Sequence, residues 1–428
     1  MMEGNQDRLA IDGGSPVRRK PFAPRWPMVT EAMRRRVLEV LDSGNWFRGC
    51  GENNRKFEQA FAAAHDCRFG TCVTNGTHSL QVALLACGLE AGQEVIVPSW
   101  TFFSTAQAVV AANGVPVFAD IDPATLNINP AHIETLITRH TAGIIPIHFA
   151  GHPADMDRIM AIARRHKLFV IEDAAHAHGA RYNSRRAGSL GNVGSFSFQF
   201  YKNLTAGEGG ALTTNDESLH ERIQAWYNLG HMPKNYAQYR HDWMGGNCRM
   251  TEFQAAILLE SLPLLDEQNQ RRRANARRLN ELLRSLQGIG VFDPVGDVQS
   301  SCHVYMLRLD EAQARLDKQR FVAAIQAEGI PLTVGYTMGV HEQPVFQELR
   351  FGPYTGYQRT NPKLSYRHLD LPETQRAARE VCFLPHRFLV NSDEGDMGDI
   401  AAAVEKVLRV TERSRRSNRD KRSCTLAK

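Results

Sequence analysis

The chain has 428 residues, of which 43% are hydrophobic and 23% charged, the composition of an ordinary globular protein with room for two or three domains. Its apolar runs stop short of the roughly 18 residues that a membrane helix needs, and its first residues lack the apolar core of a secretory signal. The eight cysteines form no C-x-x-C pair and no zinc-type spacing with histidine. We therefore expect a cytoplasmic protein with reduced thiols, no membrane partner and no metal site.

The net charge of +5 is concentrated at the C-terminus. Residues 409–428 carry eight basic and two acidic side chains, whereas the rest of the chain has 43 basic against 44 acidic ones. A protein that acts on nucleic acid carries its positive charge on the folded body. The neutral body thus argues against a nucleic-acid partner, and residues 411–428 are interpreted as a disordered basic tail.

Helix and strand signals alternate over about the first 260 residues. Amphipathic or apolar helical segments are predicted at 56–64, 78–88, 103–113, 130–137 and 155–166. Strands that are apolar throughout are predicted at 68–73, 94–97, 116–119, 143–148 and 168–171, followed by a further strand at 194–202. Strands buried on both faces read as continuous apolar runs, so the pattern predicts an α/β domain whose mostly parallel sheet is covered by helices.

The character of the chain changes after about Leu265. A long polar helix is predicted at 267–286, and its cluster Arg271–Arg273 is interpreted as a solvated face. A strand at 302–309 and helices at 318–328 and 396–410 indicate a smaller α+β domain. The predicted organisation is an N-terminal arm (1–28), a large domain (29–265), a small C-terminal domain (266–410) and the tail (411–428).

Two charged residues end apolar or aromatic strands. Lys202 follows a strand in which polar and aromatic residues alternate, and a glycine-rich segment comes after it. A desolvated lysine amine in such a place can form a Schiff base. Asp173 ends another strand and could keep a pyridine nitrogen protonated; Glu172 competes for this role, but strand neighbours face opposite sides, so only one can serve. The pair predicts pyridoxal 5′-phosphate (PLP) chemistry.

Three further features fit the rest of that cofactor. The turn Asn75–Thr77 joins a predicted strand to a helix, whose free N–H groups and dipole favour a phosphate. Ser197 lies on the strand face of Gln199 and could add a hydroxyl, while Phe102 follows a strand and could stack on a pyridine ring. Each feature alone is a weak signal, because most such turns are only turns and most aromatic residues lie in a core.

Together these segments resemble the sugar aminotransferases of the DegT/DnrJ/StrS family, within fold type I of the PLP enzymes. The lysine segment flanked by GEGG, combined with EDAAHAHG, carries the resemblance, which runs from about residue 9 to residue 410. The matching stretches are VTNGTHSL (73–80), EVIVPSWTFFST (94–105), VFADIDPATLNI (117–128), VIEDAAHAHGA (170–180), GSFSFQFYKNLTAGEGGALTT (194–214) and GGNCRMTEFQAAI (245–257).

The resemblance implies a role for each matching residue. Lys202 corresponds to the Schiff-base lysine and Asp173 to the pyridinium partner. The other implied cofactor contacts are His176 beside the ring near its phenolic oxygen, Gly76, Thr77 and Ser197 at the phosphate, Phe102 stacked on the ring, and Asn247 reaching the phosphate across the interface of a homodimer with shared active sites. Tyr201 departs from the family, which usually has a small or aliphatic residue there.

The implied reaction moves an amino group from L-glutamine or L-glutamate to the ketone of a sugar or cyclitol, with Lys202 as general acid and base. A family branch with histidine in place of the lysine dehydrates sugars, so the lysine favours transamination. Residues 9–27 and 43–49 are similar to the branch that acts on inososes or aminoshikimate-type precursors. A nucleotide-linked 4-ketosugar acceptor, a PLP-dependent lyase or dehydratase, and a non-catalytic PLP-binding regulator stay open as alternatives.

Overall fold

The computed structural model describes residues 8–22, 26–232 and 239–426. Up to residue 264 the elements are α1 (Glu31–Ser43), α2 (Asn53–Ala64), β1 (Phe69–Val73), α3 (Gly76–Ala86), β2 (Glu94–Pro98), α4 (Ser104–Ala111), β3 (Val115–Ala119), α5 (Pro130–Leu136), β4 (Thr141–Ile144), α6 (Met156–His166), β5 (Phe169–Asp173), β6 (Arg181–Tyr182), β7 (Arg185–Arg186), β8 (Val193–Ser197), β9 (Gly210–Thr214), α7 (Glu217–Tyr227) and α8 (Glu252–Ser261).

The first part of the chain is organised around a seven-stranded sheet with the spatial order β1-β9-β8-β5-β4-β2-β3. Strands β8, β5, β4, β2 and β3 run parallel to one another, and β9 is antiparallel to both β1 and β8. β2, β8 and β9 are buried along their whole length, as expected for strands with helices on both faces. The predicted, mostly parallel α/β sheet is therefore confirmed.

The second part of the chain forms a smaller α+β unit around the antiparallel sheet β10-β12-β13. Its apolar core also receives Leu9 from the N-terminal segment. The second part of the chain contains α9 (Leu265–Leu283), β10 (Ile289–Val291), β11 (Val298–Gln299), β12 (Val304–Leu309), α10 (Glu311–Ala314), α11 (Lys318–Ala327), α12 (Pro344–Gln347), α13 (Tyr357–Thr360), α14 (Pro372–Glu380), β13 (Val381–Pro385), α15 (Arg387–Val390) and α16 (Glu394–Leu426). Of these, β11 pairs with β6, and Phe346 of α12 packs in the core of the large sheet. The domain boundaries stay a prediction.

Buried charges hold the N-terminal segment on the small unit. The carboxylate of Glu328, which is fully buried, accepts the backbone N–H groups of Ala10 at 2.8 Å and Val17 at 3.0 Å. It also pairs with the Lys406 amine at 2.8 Å. Arg18 pairs with Asp396 at 2.7 Å. The segment is thus attached through ions that are largely buried.

Three predictions of local structure need correction. β8 ends at Ser197, because the amides of Phe198 and Phe200 bond within the loop to the carbonyls of Gly209 and Gly207. Lys202 therefore lies in a turn beyond the strand. The predicted disordered tail 411–428 instead continues α16 as far as Leu426; residues 427 and 428 lie outside the described residues.

The third correction concerns the arginine cluster of α9. Arg272 is fully buried, although Arg271 is exposed. Its guanidinium donates to Asn269 Oδ1 at 2.8 Å and lies 5.4 Å from the centre of the Trp26 ring. Burial lowers the pKa of Arg272 to about 9. Consecutive helix residues point about 100° apart, so three arginines in a row could not share one solvated face.

No helix within the described ranges has both the length and the apolar character that crossing a bilayer requires.

Candidate active site

A cavity of about 450 Å³ lies where β5 and β8 end and α3 and α4 begin. Carboxyl ends of parallel strands and helix N-termini meet here, which is the usual place for a ligand in an open α/β sheet. The cavity brings together seven of the eight predicted site residues: Lys202, Asp173, His176, Gly76, Thr77, Phe102 and Ser197. The lining also includes residues that the sequence did not single out, among them Thr105, His303 and Tyr336.

Lys202 presents a free amine to this cavity. The amine makes no hydrogen bond or ion pair with any residue that the structure describes. Burial lowers the pKa of Lys202 to about 8, against the opposing attraction of the Asp173 carboxylate. An uncommitted amine with this pKa is partly neutral near physiological pH and can act as a nucleophile.

The backbone on both sides of Lys202 is fixed by distant parts of the chain. The Trp26 indole N–H donates to the carbonyl of Phe200 at 3.1 Å, and His386 Nε2 donates to the carbonyl of Tyr201 at 3.0 Å. On the other side, the Asn203 amide donates to the carbonyl of Ser301 at 2.7 Å. The N-terminal segment and the small unit thus share in orienting the lysine.

The two neighbouring carboxylates of β5 point to different environments. Asp173 lines the cavity and accepts the Thr105 hydroxyl at 2.8 Å. Burial raises its pKa above the ordinary range, although Thr105 and the charge of Lys202 act in the other direction. Glu172 does not line the cavity. Of the two carboxylates, Asp173 is therefore the one that can contact a molecule bound in the cavity.

Glu172 instead holds the loop that follows β7. Its carboxylate accepts His148 Nε2 at 2.8 Å and the backbone N–H groups of Gly188, Leu190 and Gly191, each at 2.7 Å. Burial raises the pKa of Glu172, but these donors outweigh burial and leave the pKa below its ordinary value. The residue has a structural role.

The first turn of α3 forms a cradle against β8. Asn75 caps the helix by accepting the N–H of His78 at 2.8 Å. A Cβ built on Gly76 would lie 2.6 Å from the Cβ of Ser197, so the close approach of helix and strand requires glycine. The Thr77 hydroxyl bonds to Ser104 at 2.9 Å. Hydroxyls and the unpaired N–H groups of a helix start together suit a phosphate.

Two histidines stack at one side of the cavity. The rings of His176 and His303 are nearly parallel, with centroids 4.2 Å apart. His303 Nδ1 donates to Asn203 Oδ1 at 3.1 Å, whereas Nδ1 of His176 is buried and has no hydrogen-bond partner among the residues that the structure describes. Burial, followed by the positive charge of Lys202, holds the pKa of His176 well below its usual range. A neutral His176 therefore has a free nitrogen for a bound molecule.

The eighth predicted residue, Asn247, lies outside the cavity. It is exposed and forms an isolated bridge with Asn228. Phe102 reaches the cavity mouth with 57% of its surface exposed. No local sequence pattern identifies His303 or Thr105 as site residues. Their hydrogen-bond partners, Asn203 and Asp173, lie 100 and 68 positions away along the chain.

Comparisons with known proteins agree with this geometry. Residues 27–404 match the model of the DegT/DnrJ/EryC1/StrS aminotransferase family. The chain is 38% identical over 426 residues to an L-glutamine:2-deoxy-scyllo-inosose aminotransferase from Micromonospora echinospora, with 93% of this chain and 97% of the relative covered.

Solved structures are similar over nearly the whole chain. DesI, crystallised in the presence of its TDP-sugar product, superposes with a TM-score of 0.80 at 31% identity, covering 96% of this chain and 99% of DesI. The ntda protein from Bacillus subtilis with bound cofactor PMP has a TM-score of 0.77 at 27% identity, covering 92% of this chain and 86% of ntda. The predicted type I fold is confirmed.

Proposed function

The chain belongs to the DegT/DnrJ/EryC1/StrS aminotransferase family, and we propose that it uses PLP to move an amino group from L-glutamine or L-glutamate to the ketone of a cyclitol. The observation that carries the proposal is the free, enclosed amine of Lys202 in one cavity with the Asp173 carboxylate and the α3 cradle. An amine, an acid and an anion cradle are the groups that this cofactor requires.

The residues fit PLP. Gly76 leaves room for a phosphate beside Ser197 and the first turn of α3, and the unpartnered nitrogen of His176 is available to a polar ring substituent. Asp173 would hold the ring nitrogen, and Phe102 would cover a ring face. When bound, PLP supplies an electron sink that makes the carbon next to the amino group acidic.

Lys202 has two tasks in this account. Its amine would hold the cofactor and, once released, would move a proton to and from the reacting carbon. With a pKa of about 8, both its neutral and its protonated forms are well populated near neutral pH. The same side chain can therefore take a proton in one half of the reaction and return it in the other.

Support for a cyclitol acceptor and glutamine as donor comes from the relative named above, whose similarity covers nearly all of both chains. Residues 9–27, which resemble the same branch, lie partly on the small unit, and Trp26 holds the carbonyl of Phe200 near the lysine. A nucleotide-linked ketosugar is the second candidate, because the DesI structure was obtained with a TDP-sugar product.

We further propose a homodimer whose subunits complete each other's sites. Asn247 does not line the cavity of its own subunit, and Trp243 and Met244, close to it in sequence, are 45% and 89% exposed. Trp46 and Phe47 are likewise about half exposed. Large exposed apolar side chains around one edge are typical of a protein interface, from which Asn247 could reach the phosphate of the other subunit.

The acceptor is tested by supplying PLP and L-glutamine with either 2-deoxy-scyllo-inosose or a TDP-linked 4-ketosugar, and detecting the product amine by mass spectrometry. The proposal expects amination of the inosose by the wild type and by K363A, which changes an exposed lysine, but not by K202A. Amination of the TDP-sugar alone would overturn the cyclitol acceptor and leave the aminotransferase standing.

A further inference from the structure

A second cavity, of about 390 Å³, lies between α9 and β12. It shares no lining residue with the cavity that contains Lys202. One wall is apolar and includes Phe292, Val304 and Met306, and the opposite wall carries Arg273 and Arg277. Its volume is in the range of small-molecule sites.

The arginines of α9 differ in their partners. Arg271, Arg277 and Arg278 are all exposed. Of these, Arg271 is paired with Glu267 at 2.7 Å and Arg278 with Glu281 at 3.2 Å. Arg273 reaches only the carbonyl of Ser300, at 3.2 Å, and Arg277 makes no hydrogen bond or ion pair with a described residue. Arg272 is buried and bonded to the amide oxygens of Asn269 and Gln268, so among the described arginines of α9 only Arg273 and Arg277 have no side-chain partner, and both line the second cavity.

These two cations lie one helical turn apart on one face of α9, a spacing at which like charges repel. Asp293 is the one carboxylate among the described lining residues, and it is already bonded to Asn280 and Arg284, each at 2.9 Å. The cavity therefore has uncompensated positive charge beside an apolar wall. Guanidinium groups bind carboxylates with paired, charge-assisted hydrogen bonds.

The wall between the two cavities is a short stretch of backbone, residues 300–303. Cys302 lines the second cavity and His303 lines the first. The Ser301 hydroxyl donates to the carbonyl of His176 at 2.6 Å, and the Ser301 carbonyl accepts the amide of Asn203 at 2.7 Å. A molecule that displaces Cys302 would thus also displace its neighbour Ser301, which contacts both His176 and Asn203.

We propose that the second cavity is an effector site for a small organic carboxylate with an apolar body. The carboxylate lies between Arg273 and Arg277, and the body lies against Phe292 and Met306. Its occupation shifts residues 300–303 and changes the affinity of the active site for the amino donor. The coupling to donor affinity rests on the proposed function, whereas the binding itself does not.

Binding is tested by calorimetry with 3-phenylpropionate as the probe, in the absence of substrates. The expected result is saturable binding to the wild type and to R278Q, and binding at least about tenfold weaker to the R273Q/R277Q double variant. R278Q is the matched control because it removes a paired, outward arginine of the same helix. Equal affinity in the double variant, or no saturable binding to the wild type, would overturn the site.

Two further probes test the class of ligand. 3-Phenylpropanol, which lacks the charge, and inorganic phosphate, which lacks the apolar body, should both bind more weakly than 3-phenylpropionate. Phosphate binding as tightly as the carboxylate would contradict the role of the apolar wall, and equally tight binding of the alcohol would contradict that of the arginines.

Coupling is tested separately by steady-state kinetics. 3-Phenylpropionate should change KM for L-glutamine in the wild type and in R278Q but not in R273Q/R277Q. Calorimetric binding without any change in KM would refute the coupling and leave the site. If the proposed function is wrong, the wild type will transfer no amino group from L-glutamine, and this result is independent of the calorimetric binding.

Discussion

Glu172 and Asp173 are adjacent carboxylates, and the structure predicts opposite consequences for their neutralisation. Glu172→Gln keeps the shape of the side chain but turns an acceptor of four hydrogen bonds into a group that must also donate. All three backbone N–H groups of Gly188, Leu190 and Gly191 would then lose a charged partner, and at least one of them would face the amide NH2 group. Asp173→Asn leaves the Thr105 hydrogen bond possible and changes a group that faces the cavity.

Leaving one buried N–H group without an acceptor costs about 1–3 kcal/mol, and exchanging a charged for a neutral acceptor in the two bonds that remain costs about 1 kcal/mol each, or roughly 3–5 kcal/mol together. For 428 residues that unfold together, this corresponds to a fall in Tm of roughly 3–6 °C. Since burial already raises the pKa of Asp173, its ionised form is unfavourable in the folded state, and Asp173→Asn should leave Tm nearly unchanged. The rate of amino transfer from L-glutamine should be affected in the opposite way. Asp173→Asn should be inactive, and Glu172→Gln should be active at temperatures where it stays folded.

The pH dependence supplies an independent check. The pKa of Glu172 is lowered on folding, so its contribution to stability is fully present above the pKa of the unfolded chain and is lost as pH falls through the folded value. The difference in Tm between wild type and Glu172→Gln should therefore shrink only in acid. A stable, inactive Glu172→Gln beside an active Asp173→Asn would refute the assignment of the two carboxylates.

Three further predictions concern how the site is held. His386→Phe keeps a ring but removes the donor to the Tyr201 carbonyl. Because one hydrogen bond contributes ~0.5–1.5 kcal/mol, the variant should have a kcat about tenfold lower, with KM for glutamine less affected. An unchanged kcat would contradict this role of His386. Gly76→Ala places a Cβ 2.6 Å from the Cβ of Ser197, so the first turn of α3 must shift away from β8. It should weaken PLP binding, measured by fluorescence titration, and also lower the Tm of the cofactor-free protein, because overpacking is destabilising. Glu328→Gln leaves the buried Lys406 amine without its anion and should lower stability by about 3–5 kcal/mol; unaltered hydrogen exchange in residues 9–18 would refute that role.

Local sequence patterns predicted the groups that lie where strands end. Apolar runs located β5 and so its terminal Asp173, and period-two alternation located β8, although the predicted strand (194–202) runs five residues past Ser197, where β8 ends. Alternation reports which faces are buried and not where ladder hydrogen bonds stop. Phe198 is buried but Phe200 is 39% exposed, so in the loop that carries Lys202 neither the burial nor the backbone bonds follow the predicted strand beyond Phe198.

Local sequence patterns could not identify the residues that hold the lysine loop in place. Trp26, His303 and His386 reach the lysine loop from 174, 100 and 185 positions away, and such contacts depend on how the small unit packs on the large one. Arg272 was misread for the same reason, since its helix looks uniformly polar and its burial is decided by the segments that pack against it.

The central claim is that Lys202 holds PLP and that the loaded protein takes an amino group from glutamine. The most direct measurement is the visible absorbance of the PLP-treated wild type and of K202A, before and after L-glutamine is added. The account predicts a yellow wild type that bleaches with glutamine and a K202A protein without that absorbance. A wild type that takes up no PLP, or a K202A spectrum identical to it, would contradict the account.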